Sequence, residues 1–442
     1  MRLLYGGAEA APSDKARERV RIFHWRDDWQ FYFHTIAGGD YMSIPAQVKT
    51  MVYGGPFYLN LLLDNGLQLR QSLTRPGGHY GYRAYGSSRS QGNDITEIQL
   101  KMAQNAGVTI KLNTKLVRIY REGQQSGKVA GIAVQTVNGL KTIKAAKAVI
   151  LATGGFGANV AMRSRQVPTL TSDITTTNTV SATGEGIIYA QEIGANTMQM
   201  SYIQLYPFAD PNTGILDLWA VIPFSGPSPG IVYVDYQGKR YVNEGERRDV
   251  NARAAQNSGG FPTFSIFNQE ILDKGRFTTQ EDVDAGIAVD RILKADTLEQ
   301  LAMEINKRTY KGNKVNIDPA TLAATIATHN GYVRAGKDPD FGKRIDQGIM
   351  MTQERGPYYA VPQWPSVHHT MGGITITPKT EVLYFFGTII PNFFAAGEVT
   401  GGVHGTNRLG SNADTDSCVH GYVAGYYAAT GKLPGFIEEV HN

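Results

Sequence analysis

An uninterrupted apolar run over residues 148–152 leads directly into Gly154 and Gly155. Strands that are buried on both faces of a parallel sheet have such runs, whereas half-exposed strands alternate apolar and polar residues. The glycine pair marks a turn in which the backbone can approach a ligand closely. We therefore predict an α/β fold with a buried parallel strand at this position.

Hydrophobic periodicity and helix-capping residues predict further elements on both sides of this strand. Helices are expected over residues 14–40, 96–106, 183–193, 297–308, 319–335 and 413–429. Strands are expected over residues 108–112, 116–121, 129–136, 231–234, 240–242 and 393–396.

The composition of the chain changes at about residue 200, where Tyr, Pro and Trp become frequent, and glycine-rich loops return after Pro365. A chain of 442 residues is also too long for one simple core. We therefore predict that a separate α+β domain, residues 200–366, is inserted into a domain formed by residues 1–199 and 367–442.

The bulk composition excludes several classes of protein. A net charge of +4 is small for this length and argues against nucleic acid as a partner. Cys418 is the only cysteine, which rules out an internal disulfide, a cysteine-based zinc site and a C-x-x-C-H haem attachment, and we predict no metal site. No segment is apolar enough to span a membrane, and no signal peptide precedes residue 12, so the cytoplasm is the default compartment.

Two glycine-dense stretches near the end, residues 367–373 and 396–412, carry the polar residues most typical of a ligand site. The first contains His368 and His369, and the second contains Arg408. Arginine binds a carboxylate through a bidentate fork, and histidine adds a further hydrogen bond. Because glycines let the backbone approach a flat or anionic ligand, these stretches predict a small-acid site beside a large cofactor.

Further short motifs occur in a fixed order along the chain. They are ATGGF at 152–156, TGEG at 183–186, YIQ at 202–204, GKRYVNE at 238–244 followed by RD at 248–249, and the two glycine-dense stretches. This combination resembles the flavoprotein subunits of fumarate reductase and succinate dehydrogenase, including soluble flavocytochrome-type fumarate reductases and urocanate reductase. The resemblance implies FAD as cofactor, a Rossmann-like FAD-binding domain of the glutathione-reductase type, and an inserted capping domain that closes over the flavin.

The start of the chain departs from that family. Its members open with a strand, a G-x-G-x-x-G turn and a helix that together cradle the FAD pyrophosphate. Residues 3–7 resemble the segment that follows this unit. We therefore expect an incomplete FAD-binding domain that retains FAD weakly. We also expect the true N-terminus to lie upstream of residue 1, where a leader, if present, would direct the protein to the periplasm.

The resemblance also assigns roles to individual residues. Arg408 would clamp the substrate carboxylate, and His369 or its neighbour His368 would hydrogen-bond the same group. Arg248 would protonate the α carbon after flavin N5 has delivered a hydride to the β carbon, and Asp249 would orient Arg248 through a charge-assisted hydrogen bond. The residues expected near the cofactor are Tyr5, Gly6, Gly7, Val117, Thr153, Gly154, Gln204, Glu398, His404, Ser411 and Asn412.

The far end of the substrate site departs from the fumarate reductases. Tyr206 replaces a histidine that holds a second carboxylate, and Phe224 and Pro227 replace a Glu–Arg proton relay. Together with Trp219, these residues favour an apolar or aromatic group, because an unpaired carboxylate in such a pocket costs several kcal/mol. The sequence predicts a reductase of monocarboxylic 2-enoates such as urocanate, cinnamate or acrylate, which takes electrons from an external donor.

Three other functions stay open at this point. The first is reduction of fumarate itself, which the rest of the resemblance allows. The second is a FAD-linked dehydrogenase of a neutral substrate of the ketosteroid kind, although the His369 and Arg408 clamp argues against this. The third is an inactive fragment, or one half of a split flavoprotein.

Overall fold

The computed structural model describes residues 2–4, 24–70, 73–76, 78–88, 92–216, 219, 221–275 and 279–437. The α-helices are α1 His24–Gly38, α2 Pro45–Asp64, α3 Asn93–Asn105, α4 Val160–Gln166, α5 Glu185–Glu192, α6 Val221–Ser225, α7 Arg248–Gln256, α8 Gln269–Gly275, α9 Gln280–Ala288, α10 Leu298–Asn306, α11 Pro319–Ala335 and α12 Asn412–Thr430. The strands are β1 Arg2–Leu4, β2 Ala84–Gly86, β3 Lys115–Arg121, β4 Val129–Thr136, β5 Gly139–Lys144, β6 Val149–Leu151, β7 Thr197–Met198, β8 Ile203–Ala209, β9 Val232–Val234, β10 Thr263–Asn268, β11 Leu293–Ala295, β12 Thr309–Tyr310, β13 Asn313–Lys314, β14 Tyr358–Thr370, β15 Gly373–Ile374, β16 Glu381–Leu383 and β17 Ile389–Ala395.

The apolar run that ends at the glycine pair forms β6, which pairs in parallel with β17 as predicted. Leu151 is buried, but Ile150 is 40% exposed. The prediction that both faces of this strand are covered was therefore wrong for Ile150. The inner face packs into a hydrophobic core with Phe156, Ile187 and Phe393.

Strands β3, β4 and β5 form a separate antiparallel sheet, which confirms the strands predicted at 116–121 and 129–136. The strand predicted at 108–112 was wrong. This segment pairs with no strand within the described ranges, and Leu112 is 81% exposed. Without a neighbour to accept its backbone hydrogen bonds, an alternating sequence does not form a strand.

Five of the described strands between residues 203 and 370 build one antiparallel sheet, and β12 and β13 pair separately. Its order is β11-β14-β10-β9, and β8 pairs with the far end of β14. Successive side chains of β9 enter opposite cores, with Val232 in one and Tyr233 in the other, as the alternation of a strand buried on both faces requires. The strand predicted at 240–242 is reduced to an isolated bridge between Val234 and Arg240.

Local capping residues explain why the predicted helices at 297–308 and 319–335 form. Thr297 and Gln300 cap α10 reciprocally, and Asp318 caps α11 ahead of a proline in its first turn. α11 ends at Gly336, which has a φ of 68°, where glycine avoids the strain that a side chain would cause. The domain boundaries at residues 200 and 366 stay a prediction.

None of the described helices combines the length and the apolar character that crossing a bilayer requires.

Candidate active site

A cavity of about 590 Å³ lies where the ends of β8 and β14 meet the first turns of α7 and α12. Eight residues that the sequence singled out line it: Tyr206, Phe224, Arg248, His368, His369, Glu398, Arg408 and Ser411. These residues come from positions 206 to 411 of the chain, so the fold assembles the site from distant segments.

Two arginines in this cavity are buried without a carboxylate in direct contact. Arg248 is 6% exposed and Arg408 is 5% exposed. Neither forms an ion pair with any carboxylate in the part of the chain that the structure describes. Because a buried cation is costly unless an anion accompanies it, the pair predicts an anionic ligand.

His369 lies on the side of the cavity near the glycine-dense loop 396–412. Its Nδ1 is 3.6 Å from Glu398 Oε1, and its ring meets that of His404 edge-on with 5.4 Å between centroids. Burial, and next the charge of Arg408, hold the pKa of His369 well below its usual range. The imidazole is therefore neutral and offers a hydrogen bond rather than a charge to a ligand.

Arg248 occupies the first helical position of α7, with its guanidinium against aromatic faces. Its Cζ lies 4.8 Å from the ring centre of Tyr206 and 4.6 Å from that of Phe224. Burial, and next the charge of Arg408, hold the pKa of Arg248 well below its ordinary value. A guanidinium in this environment is a stronger acid than one in water.

Gln204 connects the two arginines. Arg248 Nη1 donates to Gln204 Oε1 over 3.2 Å, and Gln204 Nε2 donates to the backbone oxygen of Arg408 over 2.8 Å. Gln204 Nε2 also donates to Asn407 Oδ1 over 2.8 Å. The expected pairing of Asp249 with Arg248 was wrong, because Asp249 accepts two hydrogen bonds from Arg247 instead.

A β-bulge in β14 explains why both neighbouring histidines line the cavity. Val367 pairs with Leu205 and His369 pairs with Gln204, so two steps along β14 face one step along β8. Successive residues of a regular strand point to opposite faces, and a bulge changes that direction. His368 and His369 therefore both contact the same space.

The far end of the cavity is mostly aromatic, as the sequence predicted, but two of the expected residues, Trp219 and Pro227, are not part of it. Tyr206, Phe224 and Leu216 line it. Trp219 packs instead against the hydrophobic core behind this wall. Pro227 lines a different cavity, of about 340 Å³.

Residues around the cavity meet three requirements of a bound flavin nucleotide. Glu398 Oε1 accepts hydrogen bonds from the backbone N–H and the hydroxyl of Thr370, and no described residue donates to Oε2, which is left for a ligand hydroxyl. Gly154 has a φ of 74°, and an added Cβ would meet nothing within 4 Å. Ser411 precedes α12 at the cavity wall, so the positive end of that helix faces the cavity and would stabilise an anion bound there. FAD therefore fits the residues present.

Other residues predicted near the cofactor are not among those that line this cavity. Val117 is in β3, and Thr153 packs so closely against Gly186 that an added Cβ there would come 2.0 Å from Thr153 Oγ1. Asn412 donates to the hydroxyl of Thr35 over 3.1 Å. Tyr5, Gly6 and Gly7 lie outside the described residues.

His404, also predicted near the cofactor, belongs to a buried polar cluster. Its Nε2 lies 3.2 Å from Asp416 Oδ2, and the other oxygen of Asp416 is 2.5 Å from His420 Nδ1. His404 Nδ1 is buried without a hydrogen-bond partner among the described residues.

Sequence reasoning missed several residues that line the cavity. Thr177 and Asn178 reach it from the loop before α5, and Asp414 reaches it from the first turn of α12. The polar run over residues 175–178 was the signal in the sequence that pointed to the first two.

Comparison with known proteins places the chain among flavoproteins. A family model described as "FAD binding domain" matches residues 20–413. "NADH:acrylate oxidoreductase" of Vibrio harveyi is 34% identical over 387 residues, which cover 86% of this chain and 36% of that protein. "Urocanate reductase" of Eggerthella lenta is 35% identical over 435 residues, which cover 97% of this chain and 68% of that protein. The chain thus spans only about a third of the first relative.

The fold is similar to that of a solved flavoprotein. The open conformation of a flavocytochrome c3 fumarate reductase superimposes with a TM-score of 0.70 at 31% sequence identity. The match covers 99% of this chain and 71% of that one. This similarity confirms the mixed α/β fold class that the sequence predicted.

Proposed function

The chain belongs to the FAD-binding flavoprotein family whose model matches residues 20–413, and on that premise we propose that it reduces the C=C bond of a 2-enoic acid that carries one carboxylate. The family confirms the resemblance and the FAD cofactor predicted from the motifs. When bound, FAD supplies the hydride for the β carbon from N5. The observation that carries the proposal is the pair of buried, unpaired arginines in one cavity.

Carboxylate binding is assigned to Arg408 and His369. Arg408 supplies the positive charge, and the neutral ring of His369 supplies a hydrogen bond from the same side of the cavity. Holding one carboxylate at two points fixes the orientation of the double bond relative to the flavin. A neutral substrate leaves Arg408 without an anion, which argues against a dehydrogenase of the ketosteroid kind.

Proton donation to the α carbon is assigned to Arg248. The lowered pKa of this guanidinium, caused by burial and then by Arg408, reduces the cost of giving up a proton. Gln204 fixes the direction of the guanidinium through its contact with Nη1. The developing negative charge at the α carbon lies between two cations, which stabilises it electrostatically.

The substrate is proposed to carry a single carboxylate because of the far wall. Tyr206, Phe224 and Leu216 themselves offer no cation to a second carboxylate there, and Arg248, the cation that lies against the two rings, is assigned to proton donation. Fumarate is the second candidate, since the solved structure with a TM-score of 0.70 is a fumarate reductase. An inactive fragment or one half of a split flavoprotein is the third alternative, and turnover by the 442-residue chain alone, with FAD supplied, excludes it.

Steady-state reduction with reduced viologen as electron donor tests this proposal. The full-length enzyme with its FAD is assayed with acrylate, cinnamate, urocanate and fumarate at equal concentrations. The expected result is a higher kcat/KM for at least one monocarboxylate than for fumarate. If fumarate gives the highest kcat/KM, the proposed substrate class is wrong, and if no enoate is reduced, the proposed reaction is wrong.

A further inference from the structure

The bulge in β14 has a functional consequence at His368. In a regular strand His368 would point away from the cavity that His369 lines. The extra residue between the Val367–Leu205 pair and the His369–Gln204 pair turns it inward. Bulges near ligand sites commonly re-aim one side chain in this way, so the placement of His368 requires an explanation beyond the carboxylate clamp.

Contacts on three sides hold His368 in this position. Its Nδ1 lies 2.6 Å from Thr177 Oγ1, and Asn178 Nδ2 donates to its backbone oxygen over 3.0 Å. Its ring lies 4.7 Å from that of Tyr206 at an angle of 39°. His369, in contrast, lies against His404. The two histidines therefore line the cavity with different neighbours, His368 beside Tyr206 and His369 beside His404.

One ring nitrogen of His368 is left for a ligand. Thr177 engages Nδ1, and no described residue bonds to Nε2. Burial, and then the charges of Arg248 and Arg408, hold the pKa of His368 well below its usual range, so the ring is neutral. Nε2 is then a single donor or a single acceptor, depending on which way the Thr177 hydroxyl points.

We propose that His368 determines substrate specificity through a hydrogen bond from or to its Nε2. This bond selects 3-aryl 2-enoates that carry a phenol hydroxyl and 3-heteroaryl 2-enoates whose ring is an azole. The proposal rests on the enoate reduction proposed above. A phenol or an azole N–H group both donates and accepts, so it pairs with either tautomer of His368. The rings of Tyr206 and Phe224 line the same cavity and supply aromatic surface for a planar ring, beside the Arg248 guanidinium that lies against both.

The size of the expected preference for polar rings follows from the burial of the site. A ring without a polar group leaves Nε2 unpaired when the substrate excludes water. Sites built to bond a substrate hydroxyl or N–H reject analogues that lack it. Because one hydrogen bond between neutral groups is at stake, we expect a preference of about 10- to 100-fold.

The test compares pairs of substrates that differ in one ring group. The full-length enzyme with its FAD reduces 4-hydroxycinnamate, 3-hydroxycinnamate, urocanate and cinnamate, and the readout is the ratio of kcat/KM for each polar-ring acid to that for cinnamate. We expect at least one ratio of about 10 or more for the natural enzyme, a ratio within about 3 of unity for His368→Leu, and recovery in His368→Gln, whose amide can still bond. Ser366→Ala, a change in the same strand outside the cavity wall, is the control.

Two results overturn the proposal. One is a kcat/KM ratio near unity for every polar-ring acid relative to cinnamate in the natural enzyme, and the other is a high ratio that His368→Leu leaves unchanged. Calorimetric binding of 3-(4-hydroxyphenyl)propanoate and 3-phenylpropanoate to the natural and His368→Leu proteins provides the same comparison without turnover. If no enoate is reduced while His368→Leu still abolishes a binding preference, the proposed reaction fails and the ring-recognition role of His368 stands.

Discussion

Arg248 Nη1 donates a hydrogen bond of 3.2 Å to Gln204 Oε1, which places an uncharged amide beside a fully buried cation. A carboxylate at this position would neutralise the guanidinium permanently. The amide holds the direction of Arg248 while leaving its charge for the substrate. Through Nε2 the same side chain holds the backbone of Arg408, so one residue positions both cations.

The substitution Gln204→Glu is therefore expected to weaken substrate binding. The new carboxylate would pair with Arg248, raise the pKa of that guanidinium and compete with the ligand anion. We expect the Kd of a saturated product, 3-phenylpropanoate, to rise about 10-fold or more, because hydrogen bonds to charged groups contribute about 1.5–3 kcal/mol. Calorimetry measures this, with Gln191→Glu on an exposed helix as the control, and equal affinities would contradict the role of Gln204.

Replacement of Arg248, the proposed proton donor, is expected to slow the chemical step much more than it weakens ligand binding. Arg248→Lys keeps the positive charge but shortens the reach and loses the planar group between Tyr206 and Phe224. We expect kcat to fall by a factor of about 10² to 10⁴, the usual contribution of general acid catalysis, with a much smaller change in the Kd of the product. Stopped-flow oxidation of the reduced enzyme measures the chemical step, and an unchanged rate would rule out Arg248 as the acid.

A buried ion network near α7 is expected to dominate the stability of the region around it. Glu244 is fully buried, accepts hydrogen bonds of 2.7 Å from Nε and Nη2 of Arg240, and lies 3.1 Å from Lys343 Nζ. Glu244→Gln leaves two buried cations undercompensated, so we expect a loss of about 3 kcal/mol in unfolding free energy, the low end for a broken buried pair. Urea denaturation measures it, with Glu246→Gln as control, and equal losses in both variants would contradict this account.

The same network predicts a pH dependence. Burial alone would raise the pKa of Glu244, but Lys343 and Arg240 hold it at about 2, below its ordinary value of 4.5. Because the folded-state pKa is depressed, the stabilisation is complete above pH 4.5 and is lost as the pH falls toward 2. The difference in stability between the natural protein and Glu244→Gln should shrink across this window, and a constant difference would refute the assignment.

Arg247, the residue before Arg248, is expected to keep the cavity closed. Its guanidinium forms ion pairs with Asp40, which follows α1, and with Asp249. Asp40→Asn removes one of these pairs and should raise KM several-fold, but change the unfolding free energy by less than about 1 kcal/mol, because Asp40 is half exposed. Steady-state kinetics with Asp284→Asn as control measures this, and an unchanged KM would show that the contact has no closing role.

The pKa of Asp40 defines the pH range in which the ion pair between Asp40 and Arg247 forms. The hydrogen bond from Arg247 lowers the pKa of Asp40 below its ordinary 3.8. The contribution of a carboxylate with a depressed pKa is present above the ordinary value and is lost only in more acidic solution. The KM effect of Asp40→Asn should therefore be constant between pH 6 and pH 8, and a strong variation there would point to another group.

Local signals in the sequence were sufficient where a few neighbouring residues decide the structure. The Thr297 and Asp318 caps and the Gly336 stop lie within one turn of the helix ends that they predict. The apolar run before Gly154 likewise predicted β6. The segment 108–112 has a strand pattern of the same quality, but a strand also requires a partner, and no residue of the segment itself specifies one.

The site shows the same division between local and distant causes. His369 and Arg408 were expected to act together, and they line one cavity. The sequence preferred His369 as the carboxylate ligand and gave His368 no role of its own, because the bulge that gives each its own direction arises from pairing with β8. The partner of Arg248 was misassigned for a similar reason, since Gln204 approaches from another strand while Asp249 turns to Arg247.

The central claim is that Arg408 and His369 form a clamp for one carboxylate. Its most direct test is calorimetric binding of 3-phenylpropanoate and of its primary amide to the full-length oxidised enzyme at pH 7. The two ligands have nearly the same shape and differ in the charge that the clamp recognises. The account predicts that the acid binds about 100-fold more tightly than the amide, because the amide leaves buried cations unpaired. Equal affinities of the acid and the amide would contradict it.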